Sequence, residues 1–268
     1  DFCKRCTRPF TGSWKLEAVP HLLYANNASE WTGPTGNNTY LLPGRPAILI
    51  DAGIGETAHL DAIEAALDGA SLGLVLITHG HVDHVAGAPA LARRFPGVVI
   101  RGGGAGQPFV DDEVISGGGT TLRAVHTPGH APDHFCFLDE QTREMYCGDL
   151  ARIGGTVVIP ASRGGNLRQY LESLARVREL DPARLLPAHG PVIEDPLQLI
   201  DEYVAHRAAR ERQIKAALSA GCTSVDGLVA RIYPGLSSAL VPAAKETVRA
   251  HLAKLGEEER STYGSRPT

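Results

Sequence analysis

Short apolar runs alternate with glycine- and proline-rich turns along residues 1–195, which is the pattern of a sheet-rich α/β domain. Runs of strand length and composition predict strands at 16–24, 38–42, 47–51, 73–77, 98–101, 113–115, 121–125, 135–138, 144–147, 157–159 and 185–187. Helical periodicity and end signals predict helices at 56–68, 86–95 and 166–180. The third of these is amphipathic and is capped by Asn166.

The rest of the chain changes to helical periodicity without glycine-rich turns. One long helix is predicted over 197–218, a short one is capped by Thr223, and another covers 242–255. This change in pattern divides the chain into a sheet-rich domain at 1–195 and a small helical domain at 196–268.

The composition is that of a globular protein, and the net charge predicts no strong attraction to a charged partner. With 268 residues, 43% of them hydrophobic, it can bury a sizeable core. A net charge of −4 gives no overall attraction to nucleic acid or anionic membranes. No apolar run is long enough for a membrane span, and no signal-peptide pattern opens the chain, so we expect no membrane partner.

The five cysteines are odd in number and irregularly spaced, which favours a reduced, cytoplasmic setting. Cys3 and Cys6 form half of a zinc-knuckle pattern whose second pair is absent. We therefore favour a tolerated pair of thiols there over a structural zinc site.

Four metal-binding side chains lie within six residues of each other, at His79, His81, Asp83 and His84. They follow a predicted buried strand, where a rigid sheet can hold several ligands open to solvent. Imidazole nitrogens and carboxylate oxygens are ligands that zinc favours, and they also suit iron or manganese. The spacing lets the side chains of His79 and His81 point in the same direction while those of Asp83 and His84 point elsewhere. This arrangement suits two adjacent metal ions better than one. Solvent-exposed histidines without a role are the alternative, which the density of ligands disfavours.

Three further ligand types follow predicted strands later in the chain. His130 lies in a Pro-Gly turn after one strand, Asp149 follows a second, and His189 follows a third. Each would be unremarkable alone, but together and in this order they strengthen the prediction of a two-metal site.

These ordered motifs resemble the metallo-β-lactamase superfamily over about residues 16–195. The resemblance implies a four-layer αββα sandwich with two metals at one sheet edge, and a small helical C-terminal domain beside it. Carried over residue by residue, it implies these ligands: His79, His81 and His130 for the first metal, Asp83, His84 and His189 for the second, and Asp149 bridging both.

The implied activity is metal-dependent hydrolysis, with two zinc ions per chain sharing a hydroxide that attacks an ester, thioester or related acyl bond. Asp83 and Asp149 would act as catalytic groups by accepting or shuttling the proton. The family's true β-lactamases place Cys or Ser at the position of Asp149, so antibiotic hydrolysis is disfavoured. Glyoxalase-II-like thioesterases and nucleases of the family keep the Asp. Persulfide dioxygenases use one iron, whereas ligands for a second metal are available here.

The C-terminal part resembles the winged-helix-like appendage of the β-lactamase-like protein two branch, in residues 203–207, 210–214 and 250–255. Residues 256–268 show no strand pair, so a full wing is not expected. That branch brings a second candidate substrate, single-stranded RNA, cleaved by an endonuclease reaction. A third hypothesis is a nucleic-acid-binding module with a structural metal site.

The balance of charge weakens both nucleic-acid hypotheses without excluding them. From residue 196 onward there are ten basic and eight acidic residues, too small an excess for a strong phosphate-binding surface. We therefore favour a small acyl or ester substrate, with the tail as a wall over the metal site or a dimer contact. The sequence leaves the oligomeric state open.

Two further residues are candidates for substrate binding. Arg163 precedes two glycines at the start of a predicted helix and could receive an anionic group. An ordinary connecting loop is the alternative there. His134 could orient a ligand or contact substrate, and a packed core histidine is the alternative.

Overall fold

The computed structural model describes residues 19–30 and 32–264, with side chains described through residue 258. The thiols of Cys3 and Cys6 lie outside these residues, as does the beginning of the first predicted strand. Among the described residues, no helix combines the length and the apolar character needed to cross a bilayer.

Within residues 19–30 and 32–264, ten strands form two mixed five-stranded sheets. In spatial order, the first sheet contains β1 (His21–Tyr24), β2 (Asn38–Leu42), β3 (Ala47–Ile50), β4 (Leu72–Leu76) and β5 (Val99–Arg101). The second contains β10 (Arg184–Pro187), β9 (Glu144–Gly148), β8 (Phe135–Asp139), β7 (Thr120–His126) and β6 (Glu113–Gly117). The pairs β3–β4, β4–β5 and β9–β10 are parallel, and the other neighbours are antiparallel.

The helices are α1 (Thr57–Leu67), α2 (Val82–Val85), α3 (Ala88–Arg94), α4 (Leu167–Leu180), α5 (Pro196–Ser219), α6 (Val225–Ile232) and α7 (Val241–Gly264). Short 3₁₀ helices lie at Ala161–Arg163 and Ser238–Leu240. As predicted, the Asn166 side chain caps α4 by accepting the backbone N–H of Gln169.

Three hydrophobic clusters define the layers of the sandwich. One lies between the sheets and joins β3 residues such as Ile48 to β8 residues such as Phe137. A second packs α1 and α3 on the outer face of the first sheet, around Ile63 and Leu91. The third packs α4 and α5 on the outer face of the second sheet, around Leu174. The predicted four-layer αββα sandwich is therefore confirmed.

Two predicted elements differ from the structure. The strand predicted at 157–159 is an irregular segment, although the side chains of Val157 and Ile159 are buried. In the part of the chain that the structure describes, no strand pairs with this segment, and its apolar side chains are buried by packing in the cluster that also contains Leu174. The helix predicted over 86–95 covers only Ala88–Arg94, and the turn at residues 86 and 87 separates it from α2. Gly87 fits in this turn because the Ala52 carbonyl approaches so closely that a Cβ would lie 2.1 Å from it.

The described residues from 196 to 264 contain helices and no strand, as expected for an appendage without a full wing. The α6 helix is capped by Ser224, whose side chain accepts the Gly227 N–H, so the prediction of Thr223 as the cap was wrong by one residue. Helices α6 and α7 form a small core of their own around Leu228 and Val248. The boundary at residue 195 stays a prediction.

We expect acid to destabilise the fold through His59, which is fully buried and contacts the Thr39 hydroxyl at 2.8 Å. Burial lowers the pKa of His59 from 6.5 to about 4. Between these values the unfolded chain binds a proton that the folded chain does not, so stability falls as the pH falls. Between about pH 6.5 and about pH 4.5, the free energy of unfolding measured in urea should fall by about 2 kcal/mol less in His59→Gln than in the wild type. Parallel pH profiles of the two proteins would contradict this.

Candidate metal centre

The seven predicted metal ligands converge at one edge of the sandwich. They come from the segment after β4, the α2 helix, and the loops that follow β7, β9 and β10: His79, His81, Asp83, His84, His130, Asp149 and His189. Both sheets contribute, so no contiguous part of the sequence contains the whole centre.

The first group of side chains, which could hold one cation, consists of His79, His81 and His130 with Asp149. The Nδ1 atom of His81 lies 2.9 Å from Nε2 of His79 and 2.9 Å from Nε2 of His130. The Nε2 atom of His130 lies 3.4 Å from Oδ2 of Asp149. Ligands that share one zinc ion at about 2.0–2.2 Å lie about 3.3 Å apart, so this convergence fits a divalent metal.

The second group consists of Asp83, His84 and His189. The Asp83 carboxylate lies 3.6 Å from Nε2 of His84 and 3.4 Å from Nε2 of His189. The Oδ1 atom of Asp149 lies 3.1 Å from the same His189 nitrogen and 3.6 Å from that of His84. Asp149 thus directs one carboxylate oxygen to each group, which is the arrangement that a bridging ligand requires.

Burial and neighbouring charges set the protonation of these groups. Burial, together with the neighbouring imidazoles of His84 and His130, lowers the pKa of His79, and burial likewise lowers that of His81 to about 4. Burial alone would raise the pKa of Asp149, but His189 and His84 outweigh it and hold the pKa well below its usual range. Neutral imidazoles in the first group beside an ionised carboxylate are the forms that bind metal.

Asp51 supports the second group from behind, a role that sequence reasoning missed. This carboxylate is 2% exposed and accepts the Thr78 backbone N–H at 2.8 Å and the His84 Nδ1–H at 2.9 Å. Burial alone would lower the pKa of His84, but the carboxylates of Asp51 and Asp149 outweigh it and raise this pKa well above its usual value. A bound metal would replace the proton on Nε2, and the bond to Asp51 would keep the other proton on Nδ1. The position of Asp51 after a strand that ends at this edge was the only sign of it in the sequence.

Two asparagines next to β2 also hold the centre, and their spacing gave no indication of this. Asn37 donates from Nδ2 to Oδ2 of Asp83 at 3.1 Å. Asn38 donates to the carbonyls of Pro187 and Gly190, at 2.9 and 2.8 Å, on either side of His189. Both metal-facing loops are therefore tied to the first sheet.

His134 is fully buried beneath the centre. Its Nε2 accepts the Asp149 backbone N–H at 3.1 Å, so the proton lies on Nδ1, which donates to the Thr127 hydroxyl at 2.8 Å. This geometry supports the role of orienting a ligand, and full burial also agrees with the alternative of a packed core histidine. Contact between His134 and substrate stays a prediction.

A cavity of about 890 Å³ opens beside the two groups, against His81, Asp83 and His130. Its remaining walls come from the irregular segment before α4 and from the first turns of α7. Most of this lining is apolar: Val82, Val158, Pro160, Val241, Pro242 and Ala243. Arg163 is exposed on the cavity wall and belongs to neither ligand group.

Comparison with known protein families gives two matches. The sequence profile of the metallo-beta-lactamase superfamily matches residues 32–114 and 103–189. The chain belongs to this superfamily. A second profile, the beta-lactamase associated winged helix domain, matches residues 224–263, so the metallo-beta-lactamase domain is followed by a winged-helix domain of the type expected.

Two curated relatives and one solved structure illustrate what this superfamily member is similar to. The beta-lactamase-like protein 2 homolog of Caenorhabditis elegans is 32% identical over 82% of this chain and 78% of its own length. The atrochrysone carboxyl ACP thioesterase of Aspergillus fumigatus is 37% identical over 68% of this chain and 60% of its own length. In fold, a beta-lactamase domain protein from Burkholderia ambifaria has a TM-score of 0.75 and 20% identity, over 94% of this chain and 92% of its own.

Proposed function

We propose that this metallo-beta-lactamase-fold hydrolase uses two divalent metal ions, zinc before iron or manganese, to cleave an acyl ester or thioester bond. The observation that carries the proposal is the position of Asp149, with one carboxylate oxygen toward each ligand group. His79, His81 and His130 would hold the first ion, and Asp83, His84 and His189 the second.

The chain's own side chains would divide the remaining work. Bound divalent ions supply Lewis acidity and a nucleophilic hydroxide at neutral pH. Asp83, whose pKa is about 2 because His189 and His84 outweigh the effect of burial, stays ionised. Its Oδ2 atom would bind the second ion, and the other carboxylate oxygen would accept a proton. The His130 Nδ1–H donates to the Val158 carbonyl at 2.7 Å, which leaves Nε2 free to bind a metal.

The lining of the cavity supports an acyl substrate over RNA. Its walls are mainly apolar, and two of its three basic side chains are neutralised by carboxylates: Lys245 pairs with Asp226, and Arg249 pairs with Glu246. A phosphodiester backbone needs unpaired cations along its path. The thioesterase name of the Aspergillus fumigatus relative adds support for an acyl thioester.

The helical C-terminal part, proposed as a domain at 196–268, would form one wall of this substrate cavity. Glu246 of α7 accepts the backbone N–H of Ser162 at 2.8 Å, next to the cavity. This contact supports a wall over the metal site as the role of the tail.

The test is hydrolysis of acyl thioesters beside cleavage of single-stranded RNA, each before and after treatment with a chelator. We expect thioester hydrolysis that is lost with the chelator and restored by zinc, and a metal content near two per chain. If the protein instead cleaved RNA in a salt-sensitive reaction and hydrolysed no thioester, it would be an endonuclease and the proposed acyl substrate would be wrong. Full metal occupancy without turnover of either substrate would favour the structural-metal binding module.

We expect Arg163 to contact an anionic group of the substrate. Its guanidinium makes no side-chain hydrogen bond or ion pair with the described residues and faces the cavity. Arg163→Gln should raise KM for acyl substrates that carry a carboxylate about tenfold, with kcat within about twofold of the wild type. Arg168→Gln is the control, because Arg168 pairs with Glu257 outside the cavity. An equal effect on a neutral substrate would contradict a charge contact.

A further inference from the structure

The segment from Leu150 to Ile159 connects directly to the proposed metal centre at two points. It begins immediately after Asp149, and its Val158 carbonyl accepts the His130 Nδ1–H at 2.7 Å. No strand pairs with this segment within the described residues. Backbone hydrogen bonds hold its two ends, from the Leu150 N–H to the Cys147 carbonyl and from the Ala161 N–H to the Ile159 carbonyl. Side chains supply further hydrogen bonds to its backbone.

Helix α5 supplies two of these side chains, four residues apart on one face. The Tyr203 hydroxyl accepts the Arg152 N–H at 3.0 Å and donates to the Arg152 carbonyl at 2.7 Å. The Arg207 guanidinium donates to the Val157 carbonyl. A third support comes from α4, where the Tyr170 hydroxyl donates to the Leu150 carbonyl at 2.7 Å.

Arg207 has an unusual setting for this role. It is 2% exposed, and its guanidinium carbon lies 5.5 Å from the centre of the Tyr170 ring. Its Nε and Nη1 atoms are buried without a hydrogen-bond partner among the described residues, and Nη2 donates to the Val157 carbonyl. Because a buried guanidinium is costly when its N–H groups lack partners, this bond to the segment is one that the folded chain has reason to keep. The carbonyl that Arg207 fixes, that of Val157, precedes the carbonyl that orients His130 by one residue.

We propose that Tyr203 and Arg207 are positioning residues that set His130 and Asp149 through the segment 150–159. The metal affinity of the first ligand group then depends on helix α5 in the C-terminal part of the chain. This inference rests on the proposed function, because it takes the first ligand group to be a metal site. Neither side chain contacts the metal ligands directly.

The test is zinc affinity, measured by competition with a chromophoric chelator, in Arg207→Met, Arg207→Lys and Tyr203→Phe. Residues that orient metal ligands change affinity about 10–100-fold when mutated. We expect Arg207→Met to weaken one of the two zinc sites about tenfold and to leave the other within about threefold. Arg207→Lys keeps a donor for the Val157 carbonyl and should retain most of the affinity. Tyr203→Phe removes only a hydroxyl, so it decides the matter if Arg207→Met does not fold.

The matched control is Arg210→Met, on the same helix. Arg210 also lies over a tyrosine ring, 4.0 Å from the centre of Tyr233, and donates to the Ile232 carbonyl. Its contacts stay within the C-terminal part, so its loss should lower stability without changing zinc affinity. Equal losses of affinity in Arg210→Met and Arg207→Met would overturn the inference.

A second measurement needs no metal. In protein labelled with ¹⁵N-histidine, the His130 Nδ1–H, assigned by its loss in His130→Gln, should exchange slowly with solvent. Arg207→Met should exchange it at least about tenfold faster, because the Val158 carbonyl is no longer fixed. Wild-type zinc affinity and unchanged exchange in folded Arg207→Met and Tyr203→Phe would refute the inference and leave the proposed function standing. A wild-type chain that binds no zinc would instead refute the proposed function.

Discussion

Asp149→Asn should lower thioester hydrolysis at least about 10³-fold, which corresponds to about 4 kcal/mol of transition-state stabilisation. The carboxylate directs Oδ2 toward His130 and Oδ1 toward His189, so it serves both ligand groups at once. In the asparagine variant, one of the two carboxylate oxygens is replaced by an amide nitrogen. This nitrogen has no lone pair with which to bind a metal ion, and its N–H groups would occupy the space between the imidazole nitrogens. We expect kcat to fall together with metal content, measured by elemental analysis on the purified variant.

The control for this change is Asp133→Asn, which replaces an exposed carboxylate on the loop that carries His130. Asp133 belongs to neither ligand group, so its variant should keep its metal and its activity. If Asp149→Asn retained two metals and wild-type kcat, the bridging role of this carboxylate would be wrong.

Asp51→Asn should remove the second metal while leaving the first in place. The His84 Nδ1–H now donates to Oδ2 of Asp51, and an amide nitrogen at that position would oppose it with another donor. The imidazole would then move its proton to Nε2, the atom that faces Asp83 and Asp149. We expect zinc affinity at one site to fall about 100-fold, measured by chelator competition, with hydrolysis falling in proportion.

A matched control exists for the loss of stability that accompanies this change. Asp139, at the far end of β8, is also buried and accepts the Gln141 N–H and the Thr120 hydroxyl. Asp139→Asn should therefore cost a similar amount, about 1–3 kcal/mol, without changing zinc affinity. A comparable loss of zinc in both variants would mean that Asp51 acts only through folding.

The ligands were predictable because each one follows a strand, and strand ends at one edge of a sheet meet in space. Apolar runs such as 73–77 identify buried strands, and the residue types that follow them identify the chemistry. The strand predicted at 157–159 was wrong because an apolar run indicates that side chains are buried but does not indicate which secondary structure they adopt. The other apolar runs succeeded because there the buried segments are also strands. Val157 and Ile159 are buried in a segment whose carbonyls serve Arg207 and His130.

The supporting residues carry little information in the sequence. Asp51 is one carboxylate at the end of one strand, and only the packing of α2 brings its oxygen within 2.9 Å of His84. Arg207 is one of several basic residues on a long helix, and nothing in its spacing separates it from Arg210. Long-range contacts decide which of them reaches the metal-facing segment.

The sequence by itself indicated the α/β class, the positions of most strands along the chain and the set of candidate ligands, because these depend on local periodicity and on side-chain chemistry. The tertiary structure alone decided that α7 lines a largely apolar cavity, that Asp51 reaches His84, and that α5 holds the segment 150–159 against His130. Those features are distances between residues far apart in the chain. Such distances are fixed by how two sheets and seven helices pack among the described residues, and no single segment encodes them.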